Sequence, residues 1–287
     1  MLRSRDGTPI AAFRFGSGPL TWVVPPAIGA PLLSMQALFE PLASRCTILT
    51  WDMRGFYSSG APQDAAAYSV DRHLDDLEVV IEEFGAGDFV LGGWSMGVQL
   101  SLEYAHRHAE RVRALVLISG PYRRALEGLL PGVHRVVVPG LRYADRLGPA
   151  VTRCMRFALA PAWLPRGLAH VGVIAGEPEF FGRVVERFRE VDWGRYLMVA
   201  RHLHEHDAGP HLARILAPTL IVAGTRDFLT PLAIAKRMHK MIANSELFVV
   251  PRASHYIVIE FGEVLARRIA LFLDERKVAT GSTSHGK

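Results

Sequence analysis

The sequence has little cysteine, no long apolar run and no clustered basic segment. Only two cysteines occur in 287 residues, Cys46 and Cys154, too few for a disulfide framework. Cys46 lies in the apolar run RCTILTW, where a free buried thiol is ordinary. No stretch of 18 apolar residues exists, so no spanning helix and no stable membrane insertion are expected. The opening segment MLRSRDGTPIAAFRFGSG lacks the apolar core of a signal peptide, and a cytoplasmic location is the resulting expectation. Lys and Arg total 33 against 28 Asp and Glu. That excess is mild, and with no Lys/Arg run and no zinc-finger spacing, nucleic acid is not an expected partner.

What is present suits a globular protein: 49% hydrophobic and 21% charged residues. The length fits one core, or one core with an inserted lid. β-rich runs at Ala11–Phe15, Thr21–Val24, Cys46–Trp51, Phe89–Gly92, Ala114–Ser119, Thr219–Ala223 and Leu247–Val250 alternate with helical patterns. Those patterns cover Ser34–Ala43, Asp71–Phe84, Met96–His108, Leu232–Ile242 and Ile257–Leu273. Several runs are nearly continuous Val, Leu and Ile, as strands buried on both faces require. The fold class expected is α/β, a mostly parallel central sheet flanked by helices. The turn signal GSGP between the first two runs predicts an antiparallel edge hairpin.

From about Pro121 to Pro210 the strand signal stops. Helical pieces punctuated by PG, GP, AP and LP pairs take over, and this stretch reads as an inserted helical cap over 121–210 between core segments 1–120 and 211–277. It holds 13 Arg, no Lys and 9 acidic residues, so most of the excess charge sits there. The small, polar tail 278–287 is expected to be disordered.

The sharpest motif is Gly93-Trp94-Ser95-Met96-Gly97, between the run FVLGG and a helix beginning near Met96. A serine at such a strand-to-helix corner is held in a tight turn that exposes its hydroxyl. The flanking glycines leave room for the neighbouring strand or helix, and the helix N-terminus offers free N–H groups to a developing oxyanion. G-x-S-x-G alone arises by chance roughly 0.1 to 0.2 times in a chain this long, so the strand–turn–helix context carries the reading. The hydroxyl needs a base. Of 12 histidines, only His255 lies just after the last strand run and before the last helix. Asp227, in LIVAGTRDFLTP, follows the penultimate run and is the acid that would orient the base.

Ser95, Asp227 and His255, in that order and these contexts, resemble the α/β-hydrolase superfamily. Asp52-Met53-Arg54-Gly55 is similar to the family's frequent D-x-R-G loop. The resemblance covers about residues 5–120 and 211–275 and leaves the cap unmatched. It implies a serine hydrolase acting on a carbonyl, with no metal or other cofactor. A serine at the elbow argues against dehalogenases and epoxide hydrolases, which carry aspartate there. Two departures stand out. Where many relatives have His-Gly, this chain reads Val24-Pro25-Pro26-Ala27-Ile28-Gly29. Proline has no N–H, so the family pattern moves one oxyanion donor to Ala27, with Ile28 as the fallback and Met96 as the second donor. Tyr57 also stands where many relatives carry glycine, and its phenol is a candidate to reach the pocket.

Trp94, Ile28 and Tyr57 are the candidate substrate-binding residues. Phe157, Trp163, Phe180 and Phe181 are apolar enough to shape a lipophilic pocket, and core packing explains them equally well. His202 and His206 share a helix face at metal-ligand spacing, but a polar helix face is the plainer account and no metal is expected. Gly85-Ala-Gly87 follows a helix and lacks a third glycine, so it is no dinucleotide fingerprint. The expected partner is a small acyl substrate, a carboxylic ester or thioester with an apolar acyl group. Arginines of the cap are candidates to hold an anionic head group or to rest transiently on an anionic membrane. The same triad also serves acyltransferases, lactonases, C–C hydrolases and aminopeptidases, and the fold can carry a non-catalytic binder.

Overall fold

A computed structural model describes residues 1–126, 131–170, 174–175 and 177–278. The expected tail, apart from Val278, lies outside the described residues.

Nine strands are present among the described residues. A two-stranded antiparallel piece, β1 (Leu2–Arg3) with β2 (Pro9–Ile10), precedes the main sheet and was not legible as strand. The main sheet comprises β3 (Ala12–Phe15), β4 (Leu20–Val23), β5 (Cys46–Trp51), β6 (Phe89–Leu91), β7 (Val112–Ile118), β8 (Thr219–Gly224) and β9 (Ser245–Val250). Their spatial order is β3-β5-β4-β6-β7-β8-β9, parallel throughout except for β3.

The edge hairpin expected from GSGP does not form. β3 pairs antiparallel with β5, and β5 pairs parallel with β4 on its other side, so β5 separates the two runs. The glycines there serve a close approach instead. A Cβ on Gly18 would lie 1.9 Å from the Arg45 carbonyl carbon, where the chain passes beneath the entry to β5.

Alternate strand residues feed two apolar layers. Val23, Leu49, Leu91, Leu115 and Ile221 face one layer, with α2 (Val70–Glu83), α3 (Met96–Arg107) and α9 (Leu232–Met241). Trp22, Ile48, Val90, Val116 and Val222 face the other, with α1 (Gln36–Phe39), α10 (Ile257–Glu260) and α11 (Gly262–Glu275). Two expected helices are broken. Ser34–Ala43 becomes α1 between two 3₁₀ turns, the second holding Pro41. Ile257–Leu273 is interrupted at Phe261.

Between β7 and β8 lie α4 (Pro131–Gly140), α5 (Ala144–Ala158), α6 (Leu164–His170), α7 (Pro178–Phe188) and α8 (Trp193–Glu205). The two ends of this insertion meet. Arg124 N–H donates to the His206 carbonyl at 3.1 Å, and Ala208 N–H donates to the Tyr122 carbonyl at 2.9 Å. They form a neck. Above it, Gln99 on α3 donates from Nε2 to the Leu203 carbonyl at 3.1 Å and lies 3.2 Å from His206 Nδ1. His206 Nε2 lies 3.0 Å from Glu103 Oε2. That hydrogen bond, against the opposing effect of burial, helps hold Glu103 down at about 2.

Candidate active site

Ser95 sits between β6 and α3 with φ 55° and ψ −117°, a strained conformation for a side-chain-bearing residue. Its N–H donates to the Ile118 carbonyl at 3.0 Å, which anchors the corner to β7. The elbow glycines face the Pro25 loop first, and a Cβ on Gly93 would also stand 3.3 Å from Gly97 Cα in α3. Cβ atoms on Gly93 and Gly97 would stand 2.6 and 2.4 Å from the Pro25 carbonyl oxygen.

His255 follows β9, and its Nε2 lies 3.0 Å from Ser95 Oγ. Its Nδ1 lies 3.0 and 3.2 Å from Asp227 Oδ2 and Oδ1. All three sequence-predicted residues therefore meet within hydrogen-bonding distance. Asp227 also accepts from Leu229 N–H at 3.0 Å, Thr230 N–H at 2.7 Å and the Thr230 hydroxyl at 2.6 Å. Burial alone would raise the Asp227 pKa. The hydrogen bond and charge of His255, joined by the Thr230 donors, outweigh burial and lower it. Thr230 carried no motif, and its only sequence signal was its place three residues after Asp227.

Met96 is the first residue of α3, so its N–H has no partner within the helix. Ala27 and Ile28 also line the cavity beside Ser95, and no hydrogen bond to another described residue engages either N–H. Asp52 of the D-x-R-G loop does not line that cavity and accepts from Ser58 N–H at 3.0 Å.

A cavity of about 280 Å³ opens over Ser95 and His255. Trp94 and Ile28 line it. Tyr57 does not: its hydroxyl donates to the Gly29 carbonyl at 2.7 Å, bracing the 24–29 loop, and Arg187 stacks over its ring. Of Phe157, Trp163, Phe180 and Phe181, only Phe181 is among the described residues that line the cavity. Phe157 and Trp163 are 84% and 67% exposed, and Phe180 lies beneath the Arg183 guanidinium. The roof is instead Met155, Leu159, Leu164 and Leu168, with Val184, Val185 and Phe188 following Phe181 on α7. The spacing Phe181, Val184, Val185, Phe188 is one helix face, a signal present in the sequence.

Arg and Lys are absent from the described lining residues, as are Asp and Glu. The arginines of 121–210 are not among the described residues that line the cavity. Arg187 pairs with Glu190, and Arg195 donates to the Gly55 carbonyl. Burial pushes up the pKa of the lining phenols Tyr196 and Tyr256, which keeps them neutral. His202 Nε2 lies 3.1 Å from the Ala65 carbonyl oxygen, while His206 meets Gln99 and Glu103, so the two do not converge.

The motif arginine has a structural setting. Arg54 is fully buried, makes two hydrogen bonds to Asp76 at 2.6 and 2.8 Å, and donates to Asp6, Ser4 and the Ala67 carbonyl.

Comparison with known proteins agrees with this architecture. Protein ABHD8 of Bos taurus is 26% identical over 222 residues, covering 77% of this chain and 48% of that protein. The chain thus spans about half the length of the ABHD8 proteins it matches. A proline iminopeptidase of Saccharolobus solfataricus is 27% identical over 247 residues, covering 79% of this chain and 76% of that protein. Among solved structures, the enol-lactonase from Burkholderia xenovorans matches with a TM-score of 0.76 at 20% identity, covering 94% of this chain and 98% of that one. A thermophilic esterase from Thermogutta terrifontis also gives 0.76, at 21% identity, covering 95% and 96%. A family model described as alpha/beta hydrolase fold matches residues 23–261, and the chain belongs to that family.

Proposed function

We propose that the chain is a serine hydrolase that cleaves a carboxylic ester or thioester with an apolar acyl group. The observation that carries this is the Ser95–His255–Asp227 chain of contacts, opening into a cavity whose described lining bears no charged residue other than His255, if protonated. His255 Nε2 takes the Ser95 proton as Oγ attacks the carbonyl carbon. The resulting oxyanion is held by the N–H groups of Met96 and Ala27. Collapse breaks the bond to the leaving group, which receives the proton from His255. Water then attacks the acyl-enzyme, giving its proton to His255, and the acid departs as the proton returns to Ser95. Asp227 stays ionised and holds Nδ1–H toward itself throughout. We read 121–210 as the cap of this enzyme, and the two free cysteines as fitting a reducing, cytoplasmic compartment.

A lactone is a cyclic ester and needs no new group. An aminopeptidase would need a carboxylate for the substrate ammonium, and the described lining offers none. The reading is tested by fluorophosphonate labelling of wild type and Ser95→Ala, with turnover of nitrophenyl esters of increasing chain length. Stoichiometric labelling lost in the variant, with rates rising toward longer acyl chains, is the expected outcome. A folded wild type that neither labels nor turns over would overturn it.

A further inference from the structure

The helices that roof the cavity carry a second, outward face of different chemistry. Toward the protein, α5 presses Gly148 against Gly194, and Thr152 Oγ1 accepts the Trp193 N–H at 2.9 Å. Met155, Leu159, Leu164 and Leu168 then reach the cavity. Toward solvent, Arg146, Ala150, Arg153 and Phe157 follow one another at helical spacing, all exposed. Leu147 and Arg156 flank this row, and Trp163 stands beyond its end, 67% exposed. Large aromatic side chains left this bare are costly unless something covers them.

Charge says what covers them. Residues 131–170 contain six arginines, no lysine and one acid, Asp145. Arg166 pairs with Glu179 at 3.3 Å, whereas among the described residues Arg142, Arg146, Arg153 and Arg156 meet no carboxylate. Arg153 and Arg156 also open onto a groove of about 510 Å³ shared with Arg195. Its one described acid, Asp192, is occupied in capping α8. A second copy would set this positive face against itself. An anionic bilayer matches both halves, taking aromatic side chains into its interface and guanidinium groups among its head groups.

We propose that the outer face of α5 and α6 docks on an anionic bilayer surface, and that apolar substrate passes from there through the adjoining roof to Ser95. Docking stands on the surface alone, and passage rests on the hydrolase reading. The full chain is tested by co-sedimentation with vesicles of phosphatidylcholine, with and without phosphatidylglycerol. An environment-sensitive fluorophore on exposed Cys154 gives a second readout. Binding is expected only to the anionic vesicles, falling as salt rises. Arg153→Gln with Arg156→Gln should weaken it roughly thirtyfold, and Phe157→Ser with Trp163→Ser at least about tenfold. Both variants should turn over a short, soluble nitrophenyl ester like wild type. No binding, equal binding to both vesicles, or variants that bind like wild type would overturn docking. A dimer lost in the aromatic variant, with no vesicle binding, would assign the face to a second copy. Binding without hydrolysis of any ester would leave docking standing and sink the hydrolase reading. Soluble-ester turnover with no gain for a long-chain ester in anionic vesicles would sink passage alone.

Discussion

The indole Nε1 of Trp94 donates to the main-chain carbonyl of His255 at 2.8 Å, with the rings 5.6 Å apart. The residue before the proposed nucleophile thus holds the loop of the proposed base. Trp94→Phe keeps a ring and deletes the donor. Loss of one such bond is worth about 1 kcal/mol, so kcat should fall roughly fivefold to tenfold with KM little changed. Steady-state kinetics separate this from a pure wall role, in which KM would rise alone.

Asp227→Asn should lower kcat by about 10⁴, because the base loses the partner that fixes its tautomer. Thr230→Val is subtler. Removing the hydroxyl that donates to Oδ2 takes away one of the influences depressing the Asp227 pKa. A depressed carboxylate stabilises the fold above its unfolded pKa and loses that contribution as pH falls through its folded value. In Thr230→Val this loss should begin at higher pH, and thermal melts across the acidic range would register the shift.

Gly97→Ala places a methyl group 2.4 Å from the Pro25 carbonyl oxygen, and neither partner can yield without moving the loop proposed to hold the oxyanion. The expected result is a loss of about 10²–10³ in kcat, the magnitude of a lost oxyanion donor. Titration with a fluorophosphonate would show slower labelling of a folded protein.

Met155→Trp adds bulk to the roof without touching the triad. Short acyl esters should be hydrolysed at near wild-type rates, while the longest chain accepted becomes shorter. A chain-length series in which all lengths fell together would place Met155 outside the acyl path.

Arg54 and Asp76 are both fully buried and bonded to each other. Arg54→Ala leaves the Asp76 carboxylate buried without its charge partner, a loss of about 3–5 kcal/mol, whereas Asp76→Asn leaves Arg54 paired with Asp6 and should cost less. Denaturant unfolding would measure it, and activity per folded molecule should survive.

Ser95, Asp227 and His255, which meet in the structure, stood out because each follows a strand end, where short apolar runs and turn residues punctuate the sequence. Cys46–Trp51 also matched its strand end for end. Pairing was not legible: GSGP reads as a hairpin turn, but β5, contributed from 30 residues or so further on, intervenes between β3 and β4. Similarly, Phe157 and Trp163 looked like pocket residues because hydrophobicity says what can be buried, not which side of a helix meets the core. Tyr57 was read as a pocket group because the sequence gives no sign of its bond to Gly29. Thr230 was missed because one hydroxyl near an aspartate is common and only geometry selects it.

The neck at Tyr122–Arg124 and His206–Ala208 has a consequence for change over time. The insertion leaves and rejoins the core where two stretches of chain lie one hydrogen bond apart. A different roof, longer or shorter, can be spliced at that point without altering the register of any sheet strand. Ser95, Asp227 and His255 all lie outside it, so such an exchange would reshape the roof of the cavity while the contacts among those three residues stay in place.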